Sequence, residues 1–149
     1  EDEALKVINL FSLSAEDKQI SVSVTGRGST IGDRLMIQRA ISNLMSNAIR
    51  HCPVSQAITI TIEVHATDVS LHVANPGAGI EPQHLPHLFD RFYRVDTHHS
   101  RAEGSTGLGL AIVKSIMSLH QGVAEVNSSP GKITTFKLGF PNIHGQTSW

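Results

Sequence analysis

Two runs of strict alternation stand back to back in the middle of the chain, and they restrict its fold more than any other feature. Ile58, Ile60, Ile62 and Val64 alternate with Thr59, Thr61 and Glu63; Val69, Leu71 and Val73 follow after residues 65–68. A period of two puts the apolar side chains on one face of each strand. The few residues between the runs are short enough for a hairpin loop. Ile20, Val22 and Val24, alternating with Ser21, Ser23 and Thr25, predict an earlier strand that Gly26 and Gly28 break. Strands near residues 123–128 and 133–140 are joined at Ser129, Pro130, Gly131 and Lys132. Helical spacing covers the rest. Ala4, Val7, Ile8 and Phe11 share one face of an opening helix. Asp33 is placed to N-cap a second helix that runs to about His51 and stops before Pro53. A third spans roughly residues 108–121, with Ala111, Ile112, Ile116 and Leu119 on its inner face and Gly122 as the C′ residue. The expectation is an α+β fold, a two-layer α/β sandwich with helices packed on one face of a mixed five-stranded sheet.

At 149 residues and 40% apolar, the chain can bury a sizeable core as one domain, expected over residues 1–141 with a flexible polar tail at 142–149. A net charge of −1 gives no basic bias toward nucleic acid or a membrane surface. Cys52 is the single cysteine, which rules out an internal disulfide and fits a reducing compartment. No apolar run approaches the roughly 20 residues that span a bilayer. The chain opens at Glu1 inside a helical pattern, without Met, and is expected to be a piece of a longer protein.

Three segments carry chemistry. On the helix from Asp33, Ile37, Ile41, Leu44 and Ala48 form the apolar stripe. Asn43, Asn47, Arg50 and His51 fall within an arc of about 100° beside it. An amide oxygen is a hard ligand suited to Mg²⁺, and Arg50 can pair with phosphate oxygens. A solvated helix flank with a basic C-terminal turn is the alternative. Asn75, Pro76, Gly77, Ala78 and Gly79 follow a strand directly; the glycines permit close approach to a flat ligand, or simply end the strand. Gly104, Ser105, Thr106, Gly107, Leu108 and Gly109 lead into the third helix and offer backbone N–H groups to phosphate, or form an ordinary flexible loop. Between these, residues 77–107 show no clean period, and a long irregular stretch of this kind is usually functional or mobile.

Taken together and in order, the segments resemble the catalytic and ATP-binding domain of bacterial sensor histidine kinases. NLMSNAIRH (43–51) is similar to that family's asparagine box, NPGAGI (75–80) to its first glycine box, and LFDRFYR (88–94) to its phenylalanine box. GSTGLGLAIVK (104–114) is similar to its second glycine box and SSPGKITTF (128–136) to its closing strand. The NPG turn looks like the branch that includes heavy-metal sensor kinases. The resemblance covers nearly all of residues 1–141 and implies a Bergerat-type fold that binds ATP and Mg²⁺.

The resemblance also implies roles. Asn47 coordinates Mg²⁺, Asn43 lies near the phosphates and Arg50 contacts phosphate; these three are the catalytic set. His51 lies against the nucleotide, and Asn75 accepts from the adenine amino group where the family usually has an acid. Gly77 and Gly79 make room for adenine, with Ile80 beside them. Residues 81–106 form the ATP lid, with Phe92 and Tyr93 at the nucleotide. Thr106, Gly107, Leu108, Gly109 and Leu110 contact the phosphates, and Thr134 lies at the adenine end. Two departures stand out: Asn75 replaces an acid, and Ile133 stands where Gly is common and narrows the pocket floor. Some water or backbone N–H is expected to hold the Asn75 amide with its oxygen toward adenine.

Gyrase, mismatch-repair and heat-shock-chaperone ATPases of the same fold carry Glu four residues before the magnesium Asn, to activate water. Here that position is Asn43, which cannot act as a base. The implied function is transfer of the γ-phosphate to a histidine on a separate upstream dimerisation domain, in a homodimeric parent that passes phosphate to a response regulator. None of the nine histidines stands in the family's His-acid-x-x-x-Pro context. The implied setting is the cytoplasmic part of an inner-membrane sensor. Alternatives are a regulatory nucleotide-binding module without transfer, which Asn75 favours, and a serine kinase of the anti-sigma-factor type. His84, His87, His98 and His99 are read as solvated lid residues in preference to a metal cluster. Cys52 is read as a small apolar residue. Phe89 and Phe92 are read as apolar pins, and residues 95–105 as the most mobile stretch.

Overall fold

The computed structural model describes residues 2–95 and 108–142. In chain order they form α1 (Asp2–Leu10), α2 (Ser12–Asp17), β1 (Ser21–Thr25), α3 (Arg34–His51), β2 (Ala57–Val64) and β3 (Asp68–Asn75). A 3-10 turn (Leu85–His87), α4 (Gly109–Leu119), β4 (Val123–Asn127) and β5 (Thr134–Pro141) follow. The tail at 143–149 and the second half of the expected lid, with Thr106, Gly107, His98, His99 and the stretch expected to be most mobile, lie outside the described residues.

The strands make one mixed sheet in the order β1-β2-β3-β5-β4. β2 and β3 are the hairpin that the alternation predicts, closed by His65 N–H donating to Asp68 O at 2.7 Å. β1 runs parallel to β2, so the chain must cross over between them, and α3 is that crossover. The inner face carries Ile58, Ile60, Ile62, Leu71, Val73, Phe136, Leu138 and Phe140, all buried. The outer face is polar: Glu63 lies 3.0 Å from His65, and Lys137 lies 3.7 Å from Asp68. One apolar face needs one covering layer. α3 supplies its centre with Ala40, Ile41, Leu44, Met45 and Ala48, flanked by α1 and α4. Burying a side chain such as Leu44 or Met45 stabilises the fold by about 1.5–3 kcal/mol.

The ends of the helices explain how they sit. Asp33 caps α3 as expected, its carboxylate accepting from Met36 N–H at 3.0 Å. Asp33 N–H donates to His120 Nε2 at 2.9 Å, which leaves Nδ1 as the protonated nitrogen, donating to Ile116 O at 2.7 Å. One neutral imidazole thus ties the start of α3 to the end of α4. At the other end of α3, Lys18 Nζ donates to Ile49 O at 2.6 Å and to Arg50 O at 3.4 Å, offsetting the negative pole of the helix.

Two expectations for α4 are corrected. Its buried stripe is Val113, Ile116 and Met117, with Ala111 and Ile112 half-buried; Leu119 is 68% exposed because it falls off that stripe at about 100° per residue. The residue in the left-handed C′ position is Gln121, at φ 59°, with Gly122 N–H closing the motif onto Met117 O at 2.8 Å. Gly122 is required for a different reason: a Cβ there would stand 2.4 Å from Gly139 O on β5.

Candidate functional site

Among the described residues, the predicted Asn43, His51, Asn75, Gly77, Gly79, Gly109 and Thr134 lie where β3 ends, β5 begins, α3 ends and α4 begins. Asn75 and Thr134 are partners in the β3–β5 ladder, so their buried side chains stand side by side on the inner face. Asn75 Nδ2 donates to Pro76 O at 2.8 Å. The holder of the amide is therefore a carbonyl that takes the nitrogen, in place of the N–H or water that the sequence suggested. The oxygen is then the atom with which Asn75 can accept from another group.

The turn after Asn75 is fixed by backbone contacts. Gly79 has φ 75°, and a Cβ there would stand 2.0 Å from Ser129 O. Gly131 N–H donates to Ala78 O at 2.7 Å, and Ile80 N–H donates to Ser128 Oγ at 3.0 Å. Gly77 packs against α3: a Cβ there would meet His51 O at 2.9 Å. The first glycine box is thus seated between the end of α3 and the β4–β5 turn, and both glycines are required by close approach.

Asn43 lies half-buried on α3, and its Nδ2 donates to Gly109 O at 3.1 Å. That bond brings the asparagine box against the first residue of α4. Asn47 and Arg50 are half-buried farther along the helix, and His51 is exposed on its last turn. Among the described residues no side chain caps the first turn of α4, whose leading N–H groups have no partner within the helix itself. Leu108 and Leu110 are half-buried there.

The described part of the expected lid is held more loosely. Leu88 is buried, and Phe89 sets its edge on Phe136 with ring centroids 6.1 Å apart. Phe92 is corrected as an apolar pin. It is 69% exposed and stands at φ 64°, while Leu88 and Phe89 make the contact with the core. Tyr93 is bound inside the lid, its hydroxyl 2.5 Å from His84 Nδ1 and its ring 5.3 Å from that of His87. His87 Nδ1 lies 3.0 Å from Asp90. Among the described residues no group of three or more His, Cys, Asp or Glu is arranged to hold a metal. Ile133 is 60% exposed and does not narrow a buried floor. Cys52 is buried, and burial raises its thiol above the usual range, so it is a neutral packing group.

Two residues of this end escaped the sequence reading. Ser128 belongs to the closing motif and reads as the last residue of a strand; only the fold reveals that it is buried and that its Oγ meets Ile80 and Thr134. Lys18 carries no motif, and its partners lie 31 and 32 residues away. A cleft of about 610 Å³ at the opposite end, lined among others by Arg27, Arg34, Ile41, Ile62 and Phe140, shares no residue with the predicted site.

The model of the histidine kinase-, DNA gyrase B- and HSP90-like ATPase family matches residues 32–143. The sensor histidine kinase CusS of Escherichia coli O157:H7 is 45% identical over 141 residues, 94% of this chain and 29% of CusS. The sensor protein IrlS of Burkholderia pseudomallei is 42% identical over 139 residues, 93% of this chain and 30% of IrlS. The crystal structure of full-length ShkA in complex with AMPPNP superposes with a TM-score of 0.81 at 22% identity, over 94% of this chain and 29% of ShkA, and shares the fold. The chain therefore spans under a third of the length of these relatives. No helix among the described residues is long and apolar enough to cross a membrane. The family match over residues 32–143 places this chain in the histidine kinase-, DNA gyrase B- and HSP90-like ATPase family, and the relatives it matches are sensor kinases.

Proposed function

We propose that the chain is the kinase module of a two-component sensor: it binds Mg-ATP and passes the γ-phosphate to a histidine on a separate dimerisation domain of the same protein. One observation carries the choice of transfer over hydrolysis. Asn43 occupies the place where hydrolytic members of the fold carry a Glu base, and its amide is engaged with Gly109 O at 3.1 Å. An imidazole brings its own lone pair and needs no base to attack phosphorus. As its nitrogen bonds to the γ-phosphorus, the bond to the β–γ bridging oxygen breaks, and that oxygen keeps the electron pair in ADP. The protein's share is positioning and charge neutralisation.

The residues present suit both cofactors. The close approaches at Gly77 and Gly79 leave backbone without side chains beside Asn75 and Thr134, a surface fit for a flat purine. Asn47 offers a hard amide oxygen one turn beyond Asn43 and is the residue to hold Mg²⁺, which neutralises phosphate charge when bound. Arg50 pairs with phosphate, and the uncapped first turn of α4 presents N–H groups to it. The remaining residues of the expected set, His51, Ile80, Phe92, Tyr93, Thr106, Gly107, Leu108 and Leu110, keep their roles as part of the same reading. The chain's small share of its relatives' length supports a larger parent; on the same reading that parent is a homodimeric inner-membrane sensor with this module on the cytoplasmic side and a response regulator downstream. A second reading, a nucleotide-binding regulatory module, draws on the uncharged Asn75.

The test is to join the chain to the upstream domain of its parent protein and assay acid-labile phosphate from ATP. The parent should label and Asn47→Ala should not, because a magnesium ligand and its positioning are lost. Normal labelling by Asn47→Ala removes the assigned metal role. ATP binding without any label in the parent favours the regulatory module.

A further inference from the structure

The residues proposed to meet phosphate stand toward the wrong end of a helix for an anion. Asn47 and Arg50 lie in the last two turns of α3, and the C-terminal end of a helix is its negative pole. From Asn47 to His51, the last residue of α3, the helix rises only about 6 Å. A triphosphate held along this stretch brings its negative charge close to carbonyls that already point out of the helix.

Local sequence leaves that pole short of donors. Cys52 N–H donates to Ala48 O at 2.8 Å, but the residue four beyond Ile49 is Pro53, which has no N–H. Lys18 fills the place. Its Nζ donates to Ile49 O at 2.6 Å and to Arg50 O at 3.4 Å. An ammonium on a carbonyl makes a charge-assisted bond, stronger than a neutral donor gives. Ser55 N–H donates to Lys18 O at 3.0 Å, so the main chain and the side chain of Lys18 both bind this stretch. Lys18 is half-buried at the end of α2, 32 residues before Arg50.

We infer that Lys18 is a positioning residue for the triphosphate: its charge offsets the negative pole of α3 beside Asn47 and Arg50, and its two bonds hold the turn from which Arg50 meets phosphate. The inference rests on the proposed placement of the phosphates along the end of α3.

A charge acts in proportion to the charge it meets, so the experiment is equilibrium binding of adenosine, ADP and ATP, with Mg²⁺ at low salt, to the full 149-residue chain and its variants. Lys18→Met should weaken ATP about fivefold, ADP less, and adenosine by no more than about twofold. Lys18→Arg, which returns a cation with several donors, should bind ATP within about twofold of the parent. A helix end that merely frays would disturb the first glycine box too, because Gly77 packs against His51 O, and adenosine would then be lost with ATP. Equal losses for the three ligands, no loss, or no recovery with Lys18→Arg overturn the inference. Should Lys18→Met fail to fold, Lys18→Gln keeps a neutral donor and reads the same series. Arg50→Ala tests the underlying placement. If it binds ATP as well as the parent does, the phosphates do not lie along the end of α3 and both readings fall. If it weakens ATP while Lys18→Met does not, only the role of Lys18 falls.

Discussion

The turn at residues 75–80 and the segment at 81–95 are neighbours in sequence, and both belong to the proposed nucleotide end, but they are held by different means. The turn is fixed by long-range contacts that involve backbone: Gly131 N–H to Ala78 O, Ile80 N–H to Ser128 Oγ, and Gly79 against Ser129 O. The segment after it is a series of local turns. His84 N–H donates to Glu81 O, His87 N–H to His84 O and Asp90 N–H to His87 O. Its ties to the core are side chains, chiefly Leu88 and Phe89. The difference teaches where specificity and movement can each reside. Backbone contacts at van der Waals limits give a surface with one shape, suited to reading a base. A segment built of local turns on two or three apolar anchors can shift without unfolding the sheet, which suits a cover over phosphates.

The largest effect expected from this contrast is at Gly79. A Cβ there meets Ser129 O at 2.0 Å, and φ 75° is a conformation that L residues adopt at a cost. Gly79→Ala should destabilise the chain by about 3 kcal/mol or more, as strain and displacement of the β4–β5 turn combine, and should abolish nucleotide binding. Denaturant unfolding and ATP binding measure the two parts. A variant that keeps both stability and affinity would show that the turn yields, and the contrast with the lid would disappear.

The sheet was legible because one-sided burial imposes a period of two, and nothing else in the chain competes with that pattern in β2 and β3. Helix starts were legible where a side chain does the capping, as at Asp33. Helix ends were less so: Gly122 invited a C′ assignment, but the constraint on it comes from Gly139 on a strand still to be made. α2 escaped notice because six residues with one buried side chain, Ala15, carry no periodic signal. Asn43, Asn75, Gly79 and Thr134 could be named from their motifs. Ser128 could not be ranked above Ser129, since burial distinguishes them and burial follows from the fold. Phe92 was misjudged because composition shows an aromatic residue but not the sign of its φ.

A smaller effect is expected at Leu88, the buried anchor of the lid segment. Leu88→Ala should cost about 2 kcal/mol, the lower end for a buried leucine, because its surroundings are a loop that can close over the gap. The affinity for adenosine, which lacks phosphates, should hold, while that for ATP falls. Equal losses for adenosine and ATP would mean that lid and turn respond as one body, against the contrast drawn above. No change in stability would mean that the segment is not anchored through Leu88 at all.

The smallest effect is expected at Phe92, and it sharpens the comparison most because the residue is the same type as Phe89, three positions earlier. Phe89 sets its edge on Phe136, whereas Phe92 is 69% exposed at φ 64°. An exposed ring contributes little burial, so Phe92→Ala should change stability by no more than about 0.5 kcal/mol. Phe92→Gly has two opposed effects. Glycine relieves the left-handed conformation, worth about 1 kcal/mol, but it adds freedom to the unfolded chain, worth a similar amount. The two should nearly cancel, so Phe92→Gly and Phe92→Ala should unfold within about 1 kcal/mol of the parent and of each other. ATP affinity then reads the ring alone. If both variants bind ATP more weakly while keeping parental stability, Phe92 acts on the nucleotide, as the phenylalanine box implies, from a position that contributes nothing to the fold. If instead either variant loses more than about 1 kcal/mol of stability, the ring is a pin after all, and the outward turn seen here is one of two positions it takes.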